Sequence, residues 1–183
     1  MKHACILLAE GFEEVEALTP ADYLRRAGIE VTLIGVTSSA VKGSHGITVQ
    51  TDAGTEALQR EYDAIVLPGG MPGAANLAES AAVRARIQQQ HREGKLIAAI
   101  CAAPAVVLHG ACDLLKGKKF TGYPGTENSV SGAMFVPERV VVDGALITSR
   151  GPGTAGEFAI AIIAALENRE KADEVAQRAL LKH

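Results

Sequence analysis

Three short runs of this 183-residue chain are apolar from end to end: residues 4–9, 64–67 and 96–100. Each has the length of a strand, and none alternates with polar residues, so each needs cover on both faces. Helical patterns fall between them. Residues 16–27 have helical spacing and stop at Gly28, and residues 81–92 stop before Gly94. Further helices are expected at 104–109, 154–166 and 171–181, with Thr154 and Glu157 spaced as a capping box. A β-branched run marks a strand at 30–36, and another strand is expected near 119–123. Residues 41–50, with Gly43 and Gly46, read as a small hairpin or meandering strand, and Asp143-Gly144 joins 139–143 to 145–149. Buried strands alternating with helices predict a doubly wound α/β fold around a mostly parallel sheet. With no linker or repeat in view, residues 1–183 are expected to form one domain.

Composition narrows the partners. The net charge is −3 and the 18 Lys and Arg residues are dispersed, which argues against a nucleic-acid footprint. No apolar run approaches the roughly 20 residues that span a bilayer. Glu10, Glu13, Glu14 and Glu16 follow the first apolar run, unlike a signal peptide. Cys5, Cys101 and Cys112 form no framework and no C-x-x-C pair, which fits reduced thiols in a cytoplasm.

The third apolar run ends at Cys101, and Ala102-Ala103-Pro104 then opens a helix. A thiol at that junction meets the unpaired N–H groups and the positive end of the helix dipole, which favour thiolate. Ala99 and Ala103, two residues to either side, suit a crowded strand-to-helix turn like the serine nucleophile elbow. The alternative is an inert core cysteine, since free cysteine is among the most buried residue types.

Ligands bind such sheets at the carboxyl ends of strands, near a switch in strand order. The loops after residues 9, 67 and 100 carry Glu-Gly-Phe-Glu-Glu-Val-Glu, Pro-Gly-Gly-Met-Pro-Gly and Cys-Ala-Ala-Pro. If their strands are neighbours, acid, backbone donors and thiol share one crevice. Glu13, Glu14 and Glu16 also suit a helix N-terminus, worth roughly 0.3–1 kcal/mol each. A carboxyl packed beside the sulfur would instead titrate high and exchange protons with it. Gly69-Gly70 reads as a turn, or as a source of an N–H that joins the one after Cys101 in an oxyanion hole. Pro72 breaks any dinucleotide fingerprint, no G-K-[ST] occurs, and Gly151-Pro152-Gly153 reads as a loop before a helix.

The histidines limit the chemistry. A Cys–His pair needs an imidazole within hydrogen-bond reach of the thiol. His109 lies two helical turns from Cys101, on the order of 12 Å. His3 and His183 are terminal, and His91 sits in a polar helix. His45, in a glycine-flanked loop, is the one that could approach a crevice. No histidine pair has metal-ligand spacing, so neither metal nor cofactor is expected.

Several segments together resemble the DJ-one branch of the ThiJ/PfpI superfamily. They are residues 9–16 (Ala-Glu-Gly-Phe-Glu-Glu-Val-Glu), 25–29, 66–70 (Val-Leu-Pro-Gly-Gly), 76–83, 97–104 around Cys101, and 148–154. They span nearly the whole chain. The resemblance implies a flavodoxin-like three-layer fold, a homodimer, and an oxidation-prone cysteine at the elbow. By position, Cys101 matches the family nucleophile and Glu16 its buried, protonated partner. Gly70 and Ala102 match the backbone donors of the oxyanion site, and Gly69, Tyr123 and His45 are substrate-binding candidates.

The family's activities include cofactor-independent conversion of methylglyoxal to lactate, deglycation of modified amines and thiols, and chaperone or oxidative-stress roles. Tyr123 stands where the best-known member has histidine, and a phenol is a poor base near pH 7. Glu16 would therefore carry the proton transfers. His45 stands where an arginine is found, which replaces a permanent charge with a titrating one. The PfpI-type proteases carry histidine directly after the cysteine, and Ala102 argues against that activity. Two readings follow from the resemblance: an enzyme acting on small 2-oxoaldehydes or their adducts, or a redox sensor or chaperone whose Cys101 oxidises to a sulfinate. Both imply a low thiol pKa.

Overall fold

A computed structural model describes residues 1–181; His183, read above as a terminal histidine, lies outside the described residues. Ten strands and five α-helices form in the order β1 His3–Leu8, α1 Glu14–Arg26, β2 Glu30–Gly35, β3 Ala40–Lys42, β4 Thr48–Gln50, β5 Ala64–Leu67, α2 Gly73–Glu79, α3 Ala81–Arg92, β6 Leu96–Ile100, β7 Lys119–Phe120, β8 Met134–Phe135, β9 Val140–Asp143, β10 Leu146–Ser149, α4 Ala155–Leu166 and α5 Arg169–Arg178. A helix with wide, π-type turns, Pro104–Ala111, follows β6.

The three apolar runs become β1, β5 and β6, adjacent in a six-stranded sheet of order β2-β1-β5-β6-β10-β9. All pairings are parallel except β9 with β10, where the hairpin forces the antiparallel arrangement. α1, α4 and α5 pack together, and α2, α3 and the Pro104–Ala111 helix form a second packed group. The result is a flavodoxin-like three-layer sandwich, the doubly wound α/β fold that the pattern predicts and the form that the family resemblance implies. Continuous apolar runs suit strands covered on both sides, and every residue of β5 and β6 is buried. Phe12, Tyr62, Phe120 and Phe158 are the largest fully buried side chains.

The chain leaves β1 for β2 on one side and returns to β5 on the other. The switch in strand order therefore falls between β1 and β5. The loops ending β1, β5 and β6 meet there, so the condition that those strands be neighbours is fulfilled.

Several boundaries differ from expectation. The first helix begins at Glu14, and the expected 119–123 strand is only Lys119–Phe120, paired with Met134–Phe135. The last helix is Arg169–Arg178, capped by the Asn168 side chain on the Lys171 N–H. Helix α2 begins at Gly73, directly after Pro72, where Gly and Pro hide a helix start. The Thr154–Glu157 capping box does not form. Thr154 Oγ1 turns back to the Gly151 N–H and carbonyl and the Ser149 hydroxyl, while Glu157 pairs with Arg139.

Candidate active site

Cys101 follows the last residue of β6, and its backbone adopts the left-handed conformation with φ 65°. That conformation costs a non-glycine residue on the order of 1 kcal/mol and persists only when its surroundings impose it. Here they do. The Cys101 N–H donates to the Ser149 carbonyl at 3.0 Å, and its carbonyl accepts from the Tyr123 N–H at 2.9 Å. The turn is thus pinned by the neighbouring strand on one side and the 121–126 loop on the other. Cys101 is 9% exposed, so the sulfur is near the surface of the crevice but barely wet.

Glu16 approaches the same sulfur from α1. It is fully buried, and its Oε2 accepts the Gly69 N–H at 2.8 Å. The Glu16 carboxyl and the N–H groups of Gly70 and Ala102 lie close enough to the Cys101 sulfur to act on its ionisation. The N–H of Gly69, a substrate-binding candidate, is thus committed to Glu16. Gly69 also has no room for a side chain, because a Cβ would lie 2.6 Å from Cys101 Cβ and 2.8 Å from Glu16 Oε2. Gly70 has φ +83°, and a Cβ there would meet the Glu13 backbone N at 2.4 Å. The two glycines let the β5 loop pass between the acid and the thiol.

Burial pushes the Glu16 carboxyl up to about 7, against the lowering effects of the Gly69 N–H and the Cys101 hydrogen bond; the nearby Glu13 charge adds to the rise. The expectation of a low thiol pKa is corrected. Burial, followed by the Glu16 charge and the hydrogen bond to it, pushes Cys101 up to about 12, although Gly70 and Ala102 act in the opposite direction. The Glu16 charge raises Cys101, whereas the Cys101 hydrogen bond lowers Glu16, so Glu16 is the member of the pair that ionises first. A second oxygen, Glu16 Oε1, is buried with no protein partner. It lies 4.0 Å from the position a Gly151 Cβ would take, beside the Tyr123 ring.

Tyr123 is half-exposed, and its ring lies 3.5 Å from the same Gly151 position. It contributes a wall to the crevice through its ring and an anchor to Cys101 through its N–H. The second role could not be read from its side-chain chemistry. His45 does not reach Cys101; its Nδ1 lies 3.2 Å from both Glu13 and Glu14 carboxylates. Glu14 Oε1 accepts the N–H groups of His45 at 2.8 Å and Ile47 at 3.2 Å, which fastens the β3–β4 turn onto the start of α1 and holds the Glu14 carboxyl below its usual range. His3 contacts Thr32, and His109 Nε2 accepts the Ser131 N–H. None of these contacts of His3, His45 and His109 is to Cys101. Ser149, whose carbonyl fixes the Cys101 turn, was not singled out from sequence.

No helix among the described residues is long and apolar enough to cross a membrane. A profile of the DJ-1/PfpI family matches residues 2–165. Protein dj-1beta of Drosophila melanogaster is 43% identical over 187 residues, covering 100% of this chain and 98% of the relative. A Caenorhabditis elegans relative named glutathione-independent glyoxalase DJR-1.2 is 35% identical over 179 residues, covering 95% of this chain and 94% of its own. The solved structure of oxidized Toxoplasma gondii DJ-1 superposes with a TM-score of 0.97 at 39% identity, with 100% of both chains covered. Motifs, sheet order and whole-length identity thus agree, and the chain belongs to the DJ-1/PfpI family.

Proposed function

We propose that this protein is a cysteine-dependent, cofactor-independent enzyme that converts reactive 2-oxoaldehydes such as methylglyoxal to hydroxy acids, or removes their adducts from amines and thiols. The observation that carries this reading is the contact between Cys101, on its strained turn, and the buried Glu16 carboxyl, with the Gly70 and Ala102 N–H groups at the sulfur. The Caenorhabditis elegans relative named as a glutathione-independent glyoxalase supports it.

Attack forms a bond between Cys101 Sγ and the aldehyde carbon. The thiol proton passes to Glu16 and on to the aldehyde oxygen, leaving a hemithioacetal. Glu16 then removes the hydrogen from that carbon and returns a proton to the adjacent one, while the hemithioacetal hydroxyl proton passes to the ketone oxygen. The first carbon is oxidised to a thioester while the ketone carbon is reduced to an alcohol, so no external oxidant or reductant is needed. Water cleaves the thioester and restores the thiol. The Gly70 and Ala102 N–H groups bind the oxyanion at each addition, a contribution worth about 3–4 kcal/mol per donor in comparable sites. The free Glu16 Oε1 accepts from the substrate hydroxyl, and Tyr123 walls the crevice.

Steady-state lactate production from methylglyoxal by the reduced protein, beside Cys101→Ser and Glu16→Gln, is the test. Absence of turnover at millimolar substrate in the unmodified protein overturns the glyoxalase reading. One observation favours a second reading. The N–H groups that face the sulfur would equally hold the oxygens of a sulfinate, and the Toxoplasma gondii relative is described as oxidized. As a redox sensor or chaperone the protein would take up two oxygens at Cys101 on peroxide treatment, with Cys5 and Cys112 spared. Equal oxidation of all three would sink it.

We also propose a cytoplasmic homodimer. Val15 and Leu18 share a face of α1 and lie exposed, with Ile47 of the hairpin exposed beside Val15. Such a patch suits a second copy. A sedimentation experiment in which Val15→Asp sediments like the unmodified protein would count against this surface.

A further inference from the structure

The contacts between His45 and the acids of α1 have a regularity that ion pairing does not require. Four donor atoms meet there: Glu13 Oε2, Glu14 Oε2, Ser44 Oγ and His45 Nδ1. His45 Nδ1 is 3.2 Å from Glu13, 3.2 Å from Glu14 and 3.2 Å from Ser44 Oγ. Ser44 Oγ is 3.3 Å from Glu13 Oε2 and 3.4 Å from Glu14 Oε2. Five of the six edges of a tetrahedron are therefore almost equal, and both carboxylates and the imidazole fall within 4.8 Å of one another. The centre of a regular tetrahedron with such edges lies about 2.0 Å from each corner, the length of a zinc bond to imidazole nitrogen or carboxylate oxygen.

The four atoms share at most two hydrogens, one on His45 Nδ1 and one on Ser44 Oγ, so the five contacts are met only by hydrogens shared between acceptors. A cation at the centre would satisfy every lone pair at once. The framework is also rigid. The other Glu14 oxygen is held by the His45 and Ile47 N–H groups, and the Ser44 N–H donates to the Phe12 carbonyl at 2.8 Å. Glu13 and Glu14 are both buried, whereas the His45 side chain is 71% exposed. An adjoining cavity of about 340 Å³ leaves room for an ion's waters beside His45.

We propose that Glu13, Glu14, Ser44 and His45 form a tetrahedral site for a divalent cation of the zinc class, which joins the β3–β4 turn to the start of α1. An imidazole ligand and four-coordination disfavour magnesium and calcium, which take six or more oxygens. His45 binds through Nδ1 as the neutral imidazole, with its proton on Nε2. A protonated His45 would release one proton to solvent for each ion bound. The linear spacing showed no such site because Glu14 and His45 are 31 residues apart. The expectation of no metal came from that spacing, which does not bring these four donors together.

The test is titration of the chelator-treated protein with cobalt(II) and zinc(II), followed by calorimetry and visible absorption. Expected are one ion per chain, the intense visible bands of tetrahedral cobalt, and no thiolate charge-transfer band. His45→Ala, at an exposed side chain, should weaken binding about tenfold or more. Cys101→Ser should leave it unchanged, and Glu14→Gln provides a second variant if His45→Ala binds no ion. The assignment is overturned by the absence of saturable binding, by a thiolate band that vanishes in Cys101→Ser, by a weak octahedral cobalt spectrum, or by His45→Ala binding as tightly as the unmodified protein.

Discussion

Cys5 and Cys101 are both buried, one within a strand of the central sheet and one just past a strand end, and they differ in what faces the sulfur. Cys5 lies inside β1, opposite Thr32 on one neighbour and Ile65 on the other, so its backbone groups are committed to the ladder. Complete burial pushes its thiol far above the ordinary range; the distant Arg86 charge and a backbone N–H oppose that only in part. Cys101 sits one residue past the end of β6, where the ladder stops and the chain turns through φ 65°. There two N–H groups and a carboxyl reach the sulfur. Burial raises both thiols, so burial does not distinguish them. The strand end does, because only there are backbone donors free to face a side chain.

The largest expected effect tests that contrast directly. Cys101→Ser should cut lactate formation by about a thousandfold or more, as removal of a nucleophile does elsewhere, while Cys5→Ala leaves kcat/KM unchanged. A comparable loss in both variants would break the comparison.

Gly69→Ala sharpens it, because the added Cβ would strike both Cys101 Cβ and Glu16 Oε2. Kinetics should show kcat/KM falling about a hundredfold, the usual cost of misplacing a reacting group by an ångström, without any change to the reacting groups themselves. Full activity in this variant would mean that the acid and thiol do not need their observed spacing.

The next effect is on stability and its pH dependence. The folded pKa of Glu16, about 7, lies above its ordinary value of 4.5. The unfolded chain therefore ionises first as pH rises, and the stability present below about pH 4.5 is lost progressively until the folded group has ionised above pH 7. Glu16→Gln should be more stable than the unmodified protein at pH 8, by on the order of 3 kcal/mol, with the gap closing towards pH 4. Denaturant melts in the presence of chelator would read this, and a pH-independent gap would contradict it. Turnover in the unmodified protein should rise as pH passes 7, because ionised Glu16 accepts the thiol proton.

The smallest effect belongs to Cys5. Its truncation to Ala should cost about 1–2 kcal/mol through lost packing, visible as a lower melting temperature with kinetics intact.

The buried runs at β1, β5 and β6 were legible because a strand covered on both faces leaves a continuous apolar record. The position of Cys101 was legible for a related reason, since the apolar run stops at it and a helix signal begins. α2 was not, because Pro72 and Gly73 read as a turn while their packing against the Gly11-Phe12 loop was out of view; a Cβ at Gly73 would lie 2.5 Å from the Phe12 N. The Thr154 cap failed for a similar reason. The hydroxyl had partners in Ser149 and Gly151 that compete with the helix end.

From the sequence alone came the layered α/β fold, the strand-end thiol and, through the family resemblance, its pairing with Glu16. Those properties are written in local order: periodicity, punctuation and motif. Only the tertiary structure decided that Gly69 serves Glu16, that Tyr123 anchors the cysteine turn by its backbone, that the thiol is pushed up, and that His45 joins Glu13 and Glu14. Each of these depends on groups far apart in the chain meeting where water is scarce. Distances and desolvation there set the chemistry, and neither quantity is encoded in residue order.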